Sequence, residues 1–213
     1  VFWVTHGAEE KLEKRLALRP TSETAFYQMY ALWVRSYTDL PLKLYQSCTV
    51  FRHETKATKP FLRGREFLWI EAHDAFATSD EAQRQVIEDR EIAEEVLHRQ
   101  LGLPFLFFRR PQWDKFKGAL DTYAASSLMP DGKLCQVAST HMLGENFAKA
   151  FEIMYTSRDG ERAYVSQTCY GPGISRILAA VISVHGDDHG LVFPIALAPI
   201  QVVIIPIRGK EHE

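Results

Sequence analysis

Hydrophobic and polar positions change period several times along the 213 residues, and each change marks an element. Pro20, Thr21 and Ser22 suit a helix start, after which Phe26, Met29, Tyr30 and Trp33 recur at helical spacing up to a stop at Pro41. Leu42 to Glu54 reads as a strand, 55–60 as a polar loop, and Phe61 to Phe76 as a second long strand returning antiparallel to the first. Ser79 is the expected N-cap of a charged helix. Its Ala82, Val86, Ala93, Val96, Leu97 and Leu101 share one face, Gly102 ends it, and the charged remainder faces solvent. Shorter strands follow at Phe105 to Phe108, Lys133 to Thr140 and Ala163 to Tyr170, with a helix from about Gly144 to Met154. A Gly-Pro-Gly turn then leads into an apolar helix, Ile174 to Val184. Long antiparallel strands among helices that do not alternate with them one for one predict an α+β fold, not a parallel dinucleotide-binding sheet.

Composition removes several function classes. With 46% hydrophobic and 24% charged residues the chain has the balance of a globular domain. A net charge of −2 supplies no general attraction to nucleic acid, so any RNA contact must come from local patches. Cys48, Cys135 and Cys169 are widely spaced and form no C-x-x-C pair, which fits a reducing compartment. No apolar run reaches the ~20 residues a membrane span needs, and no signal-peptide pattern opens the chain. A cytoplasmic protein without membrane contact is the expectation. The opening run Val1-Phe2-Trp3-Val4 and the strand-like Ile200 to Ile205 suggest a segment of something longer.

Candidate chemistry comes from the alternation of side chains along a strand. In the segment 61–76 the even positions give Leu62, Leu68, Ile70, Ala72 and Phe76, a core-like set interrupted by Glu66 and Asp74. The odd positions gather Phe61, Arg63, Arg65, Phe67, Trp69, Glu71 and His73. Guanidinium forks match carboxylate or phosphate oxygens, and aromatic rings offer stacking surfaces, so this face suits the floor of a site for an anionic, partly planar ligand. Arg52 and Glu54 join it from the preceding strand, while His53, of opposite parity, faces away. The same pattern also suits a surface ladder of cross-strand ion pairs. Arg176 has a separate case, because it lies in the first turn of a helix, where backbone N–H groups favour anions.

These residues resemble a known set. Phe51-Arg52-His53-Glu54, a loop and Phe61-Leu62-Arg63-Gly64-Arg65-Glu66-Phe67 are similar to motif 2 of the class II aminoacyl-tRNA synthetases, and Gly171-Pro172-Gly173-Ile174-Ser175-Arg176 is similar to motif 3. The segments 18–24, 67–73, 115–119 and 139–147 narrow the resemblance to the prolyl enzymes. It implies a class II antiparallel sheet flanked by helices, with residues 1–199 as a catalytic core lacking motif 1 and 200–213 as the start of an anticodon-binding domain. It implies ATP-dependent activation of proline to prolyl-adenylate and transfer to tRNA(Pro), with Mg2+ as cofactor and a homodimer as the assembly. The residues that would contact ATP are Arg52, Glu54, Arg63, Phe67, Gln136 and Arg176, the three arginines being catalytic. Those that would contact proline are Thr21, Glu23, Arg52, Trp69, Glu71, Phe116, Ser139 and His141, with Glu71 fixing the His141 imidazole. The resemblance gives no metal ligands.

Three positions depart from the prolyl pattern. Ser139-Thr140-His141 replaces the order Thr-Ser-His, Lys117 stands where a small residue is common, and Gly-Pro-Gly precedes Arg176. Two rivals are a non-catalytic paralogue that senses proline or uncharged tRNA, and a threonyl, seryl, glycyl or histidyl sister enzyme. Retention of all three arginines argues against the first, and Thr21-Ser22-Glu23 with the 115–119 loop against the second.

Overall fold

The computed structural model describes residues 1–207. A charged hairpin opens the chain, β1 (Trp3–Gly7) against β2 (Glu10–Ala17), with the Arg15 guanidinium 4.2 Å from the Trp3 ring centroid. Then come α1 (Glu23–Trp33), β3 (Leu42–Phe51), β4 (Glu66–Phe76), α2 (Ser79–Ala93) with its π-helical continuation Glu94–Gln100, and β5 (Phe105–Arg109). The second half holds β6 (Asp121–Leu128), β7 (Leu134–Gly144), α3 (Asn146–Phe151), β8 (Met154–Thr156), β9 (Arg162–Tyr164), β10 (Ser166–Pro172) and α4 (Ile174–His185). Six of the strands form one antiparallel sheet in the order β3-β4-β10-β7-β6-β5. The expected α+β architecture is the one observed.

Two layers of helix enclose this sheet. On one face α1 and α3 bury Tyr27, Tyr30, Leu143, Ala148 and Cys169. On the other, α2 packs Ala82 and Val86 against Phe76 and Met142, and α4 packs Ala180 and Val181 against Val137 and Ala138. The first pair of helices leaves part of its face uncovered, and the candidate residues line that opening.

Several expectations need correction. The return strand begins at Glu66, not Phe61; residues 59–63 fold into a tight turn in which Phe61 has φ 60°. Leu68, expected in the core, is exposed. Thr78, not Ser79, caps α2: its hydroxyl accepts the Glu81 N–H, and the Glu81 carboxylate accepts the Thr78 N–H. Val96 turns outward because the π-helical turns shift the helical phase after Ala93, while Gly102 ends the segment at φ 61° as expected. Asp89, assigned to solvent with the other charges, is buried against the sheet, as is Gln85. The Ser22 hydroxyl caps nothing in α1 and instead takes a hydrogen bond from Gln46.

Strand β6 escaped detection because its Ala124-Ala125-Ser126-Ser127 run lacks the bulky residues that signal a strand; all four are buried, and small side chains are what the crowded sheet admits there. The strand expected at Ile200 to Ile205 does not form, since nothing in the described chain pairs with it. Residues 208–213 of the expected second domain lie outside the described residues. Among the described residues no helix is long and apolar enough to cross a membrane.

Candidate active site

The opening is a cleft with two lobes that share Arg52, Trp69, Gln136, Ser139 and Gly171 in their walls. The two lobes lie side by side, and both are partly open to solvent. The parity argument holds along β4: Phe67 and Trp69 line the first lobe, and Trp69, Glu71 and His73 the second. His53 faces away, its ring edge-on to Phe2 at 5.2 Å between centroids.

Three guanidinium groups converge on the first lobe, and none of Arg52, Arg63 and Arg176 forms an ion pair among the described residues. Arg52 donates from Nε to the Pro20 carbonyl at 3.1 Å and lies 5.2 Å and 4.9 Å from the ring centroids of Phe67 and Trp69. Burial pushes its pKa down, and the nearby Arg176 pushes the same way. Arg176 reaches across the lobe, donating to the carbonyls of Leu62 at 2.7 Å and Gln136 at 3.2 Å. Backbone carbonyls aim these cations without neutralising them, which leaves the lobe ready for an anion. Glu54 is the one carboxylate lining it among the described residues.

Gln136 reaches the lobe through an irregularity. Pairing of β7 with β6 runs Thr122↔His141, Ala124↔Ser139, then Ser126↔Gln136, so Val137 is an extra residue on β7. This β-bulge brings Gln136 onto the same face as Ser139 and His141, although strict alternation would send it to the other side. Arg110, which sequence reasoning did not single out, fixes the amide: its guanidinium donates to Gln136 Oε1 at 2.5 Å and pairs with Asp114 at 2.6 Å.

The second lobe is lined by a polar network that leaves Trp69 Nε1 and His73 Nε2 without a hydrogen-bond partner among the described residues. The Thr21 hydroxyl stands 2.5 Å from Glu23 Oε2 and 2.7 Å from Glu71 Oε1, so its single hydrogen lies between two buried carboxylates. Burial pushes the Glu23 pKa up, against the hydrogen bond from Thr21 that lowers it. Glu71 also accepts from Gln46 at 3.2 Å and lies 3.9 Å from His73 Nε2. The expectation that Glu71 fixes His141 is therefore wrong: its imidazole neighbour is His73. Cross-strand position decides this, since Glu71 and His73 share the β4 face above α1, where Tyr27 holds His73 Nδ1 at 3.1 Å. His141 lies two strands away on β7 and is bound by Thr122 at 2.8 Å and Ser139 at 3.2 Å. Phe116 closes the lobe, 4.8 Å from the His141 ring centroid, and the Trp69 indole forms the wall toward Gly171. A methyl group on Gly171 would stand 2.7 Å from Trp69 Cζ2, so only glycine admits the indole there. Burial pushes the His141 pKa down to about 4, leaving its imidazole neutral.

Cations in one lobe and a carboxylate–hydroxyl pair in the next suit a ligand pair of polyphosphate and amino acid. Comparison with known proteins agrees. Residues 2–185 match the tRNA synthetase class II core domain (G, H, P, S and T). The chain belongs to that family. This core domain is similar to the proline–tRNA ligase of Thermofilum pendens, 64% identical over 213 residues, and to that of Pyrococcus horikoshii, 50% identical over 216. In both cases all of the chain is matched but only 44% and 45% of the relative, so it spans under half their length. Among solved structures, Giardia lamblia prolyl-tRNA synthetase in complex with prolyl-adenylate superposes with a TM-score of 0.91 at 45% identity, over 93% of this core domain and 40% of that chain. The Cryptosporidium parvum enzyme with halofuginone and AMPPNP gives 0.90 at 37% identity, over 94% and 41%.

Proposed function

We propose that the protein carrying this core domain is a proline–tRNA ligase, which activates proline with ATP and transfers it to the 3′ end of tRNA(Pro). The observation that carries this reading is the junction of the two lobes: unpaired guanidinium groups on one side of Arg52, the Thr21–Glu23 pair on the other. The relatives named above, and the adenylate bound by the Giardia enzyme, support the same reaction.

In this reading ATP occupies the first lobe, with adenine against Phe67, Glu54 and Gln136 around the nucleotide, and Arg52, Arg63 and Arg176 on the phosphates. Proline occupies the second. Its ammonium, which keeps two N–H donors, meets Glu23 and Thr21, with Glu71 behind them. Its ring lies among Trp69, Phe116 and His141, and its carboxylate points past Ser139 toward Arg52. A carboxylate oxygen then attacks the α-phosphorus, the bond to the bridging oxygen breaks, and pyrophosphate leaves. Positioning and the three cations do the catalysis, with no protein nucleophile. Among the described residues no cluster of three metal-ligating side chains exists. Magnesium would therefore be held mainly by ATP phosphates and water, with Glu54 the available carboxylate, and would supply further charge neutralisation.

The same reading makes residues 1–199 the catalytic core and 200–213 the approach to an anticodon-binding domain, in a cytoplasmic homodimer. A thermal-shift panel of amino acids with a non-hydrolysable ATP analogue tests the assignment. Stabilisation by proline with nucleotide, above every other amino acid, is expected; an equal response to threonine or serine would transfer the assignment to a sister enzyme.

A further inference from the structure

Thr122 has no part in the ligand contacts proposed above, yet it is buried between two groups that do. Its Oγ1 lies 2.9 Å from the Phe116 backbone nitrogen and 2.8 Å from His141 Nδ1. The Phe116 N–H can only donate, so it occupies a lone pair of the Thr122 oxygen. The remaining question is the direction of the bond to His141. If Nδ1 carried the proton, the Thr122 hydroxyl hydrogen would have no acceptor in the described structure, an expensive arrangement for a group cut off from water. If Nδ1 is bare, Thr122 donates to it and every group is satisfied.

That choice passes through the ring to the cleft. A bare Nδ1 in a neutral imidazole requires the proton on Nε2, where it meets Ser139 Oγ at 3.2 Å. Ser139 Oγ has no other protein partner among the described residues, so its own hydrogen is left to point into the space shared by both lobes. With the opposite tautomer Ser139 would donate to Nε2 and present only lone pairs to the ligand. A carboxylate or phosphate oxygen needs a donor.

We propose that Thr122 is a positioning residue: by donating to His141 Nδ1 it selects the Nε2–H tautomer, which turns Ser139 into a hydrogen-bond donor for the ligand's oxyanion and ties that setting to the Phe116 loop. The proposal rests on the reading that an amino-acid carboxylate enters this lobe. Its key measurement does not. Nitrogen-15 NMR of the ligand-free protein, with His141 assigned by the signal lost in His141→Gln, reports the tautomer directly. The expected pattern is a neutral ring protonated at Nε2. Thr122→Val, which keeps the shape and removes the hydroxyl, should move the ring to a mixture or to Nδ1–H and weaken proline binding by about tenfold; Thr122→Ser should restore both. A wild-type ring protonated at Nδ1 overturns the proposal, even if Thr122→Val fails to fold. So does a Thr122→Val protein whose tautomer and proline affinity match the wild type. Wild-type protein with the Nε2–H ring but no affinity for proline would leave the positioning role standing and remove the prolyl assignment.

Discussion

The two lobes solve the same problem in opposite ways. In the lobe proposed for proline most polar groups already have a protein partner, Trp69 Nε1 and His73 Nε2 excepted: Thr21 with Glu23 and Glu71, Gln46 with Glu71, His141 with Thr122 and Ser139. In the nucleotide lobe the strongest charges have none of opposite sign, and Arg52 and Arg176 are steered by carbonyl oxygens alone. In the proposed reading a small ligand with few atoms meets a largely preformed mould. A polyanion is recognised by charge deliberately left over, and the ligand itself completes the electrostatics. The lesson is that mutations in the two lobes should separate into those that damage binding alone and those that also damage the fold.

The strongest test is Arg52→Ala or Arg176→Ala, each expected to lower the rate of ATP–pyrophosphate exchange by about 10²–10³-fold or more. Near-normal exchange by either variant would remove its arginine from the site. Arg63→Ala should weaken nucleotide binding while leaving Tm almost unchanged, because that side chain is exposed and makes no hydrogen bond or ion pair among the described residues. A large drop in Tm would erase the contrast between the lobes. Next, Glu23→Gln keeps the shape but removes the charge; the KM for the amino acid should rise by about 100-fold, at ~1.4 kcal/mol per tenfold, with nucleotide affinity intact. Equal losses for both ligands would show that the lobes are not separate.

The smallest effect lies behind the sheet, where filled polar networks continue. Asp74 accepts from Thr168 at 3.2 Å and faces Asp89, which accepts from Thr140 at 2.5 Å. Burial, with the Asp89 charge second, raises the Asp74 pKa from 3.8 to about 7. The folded state thus holds this proton more tightly than the unfolded chain, so the contribution is present below pH 4 and is lost as pH rises toward 7. Asp74→Asn should flatten that part of the stability profile and gain a few kcal/mol at pH 8 relative to pH 5, at ~1.4 kcal/mol for each tenfold change in proton affinity. Parallel denaturation curves for the variant and wild type across this range would show that the proton is not held there.

How much of this was legible in the sequence depends on how local the signal is. Parity along β4 was sufficient to bring Phe67, Trp69, Glu71 and His73 to one face, because nothing interrupts that strand's alternation. At Phe61 and Arg63 the strand has not yet begun, and a turn, not alternation along a strand, delivers both to the cleft. Thr122 and Arg110 were invisible because their importance comes from neighbours 19 and 26 positions away, His141 and Gln136. Asp89 looked like any charge on a polar helix; only the Thr140 hydroxyl beneath it shows that its side faces the sheet. Periodicity detects which face a residue takes when its strand is regular, and says nothing about which strand comes to lie beside it.

Val137 has a consequence of its own. In the proposed reading one supernumerary residue lets a single strand serve two unlike guests, the segment before it keeping step with the nucleotide and the segment after it with the amino acid. Trimming the chain by that residue would put Gln136 out of step while Ser139 and His141 stayed in place, so the spacing between the two guests is written into the length of the backbone.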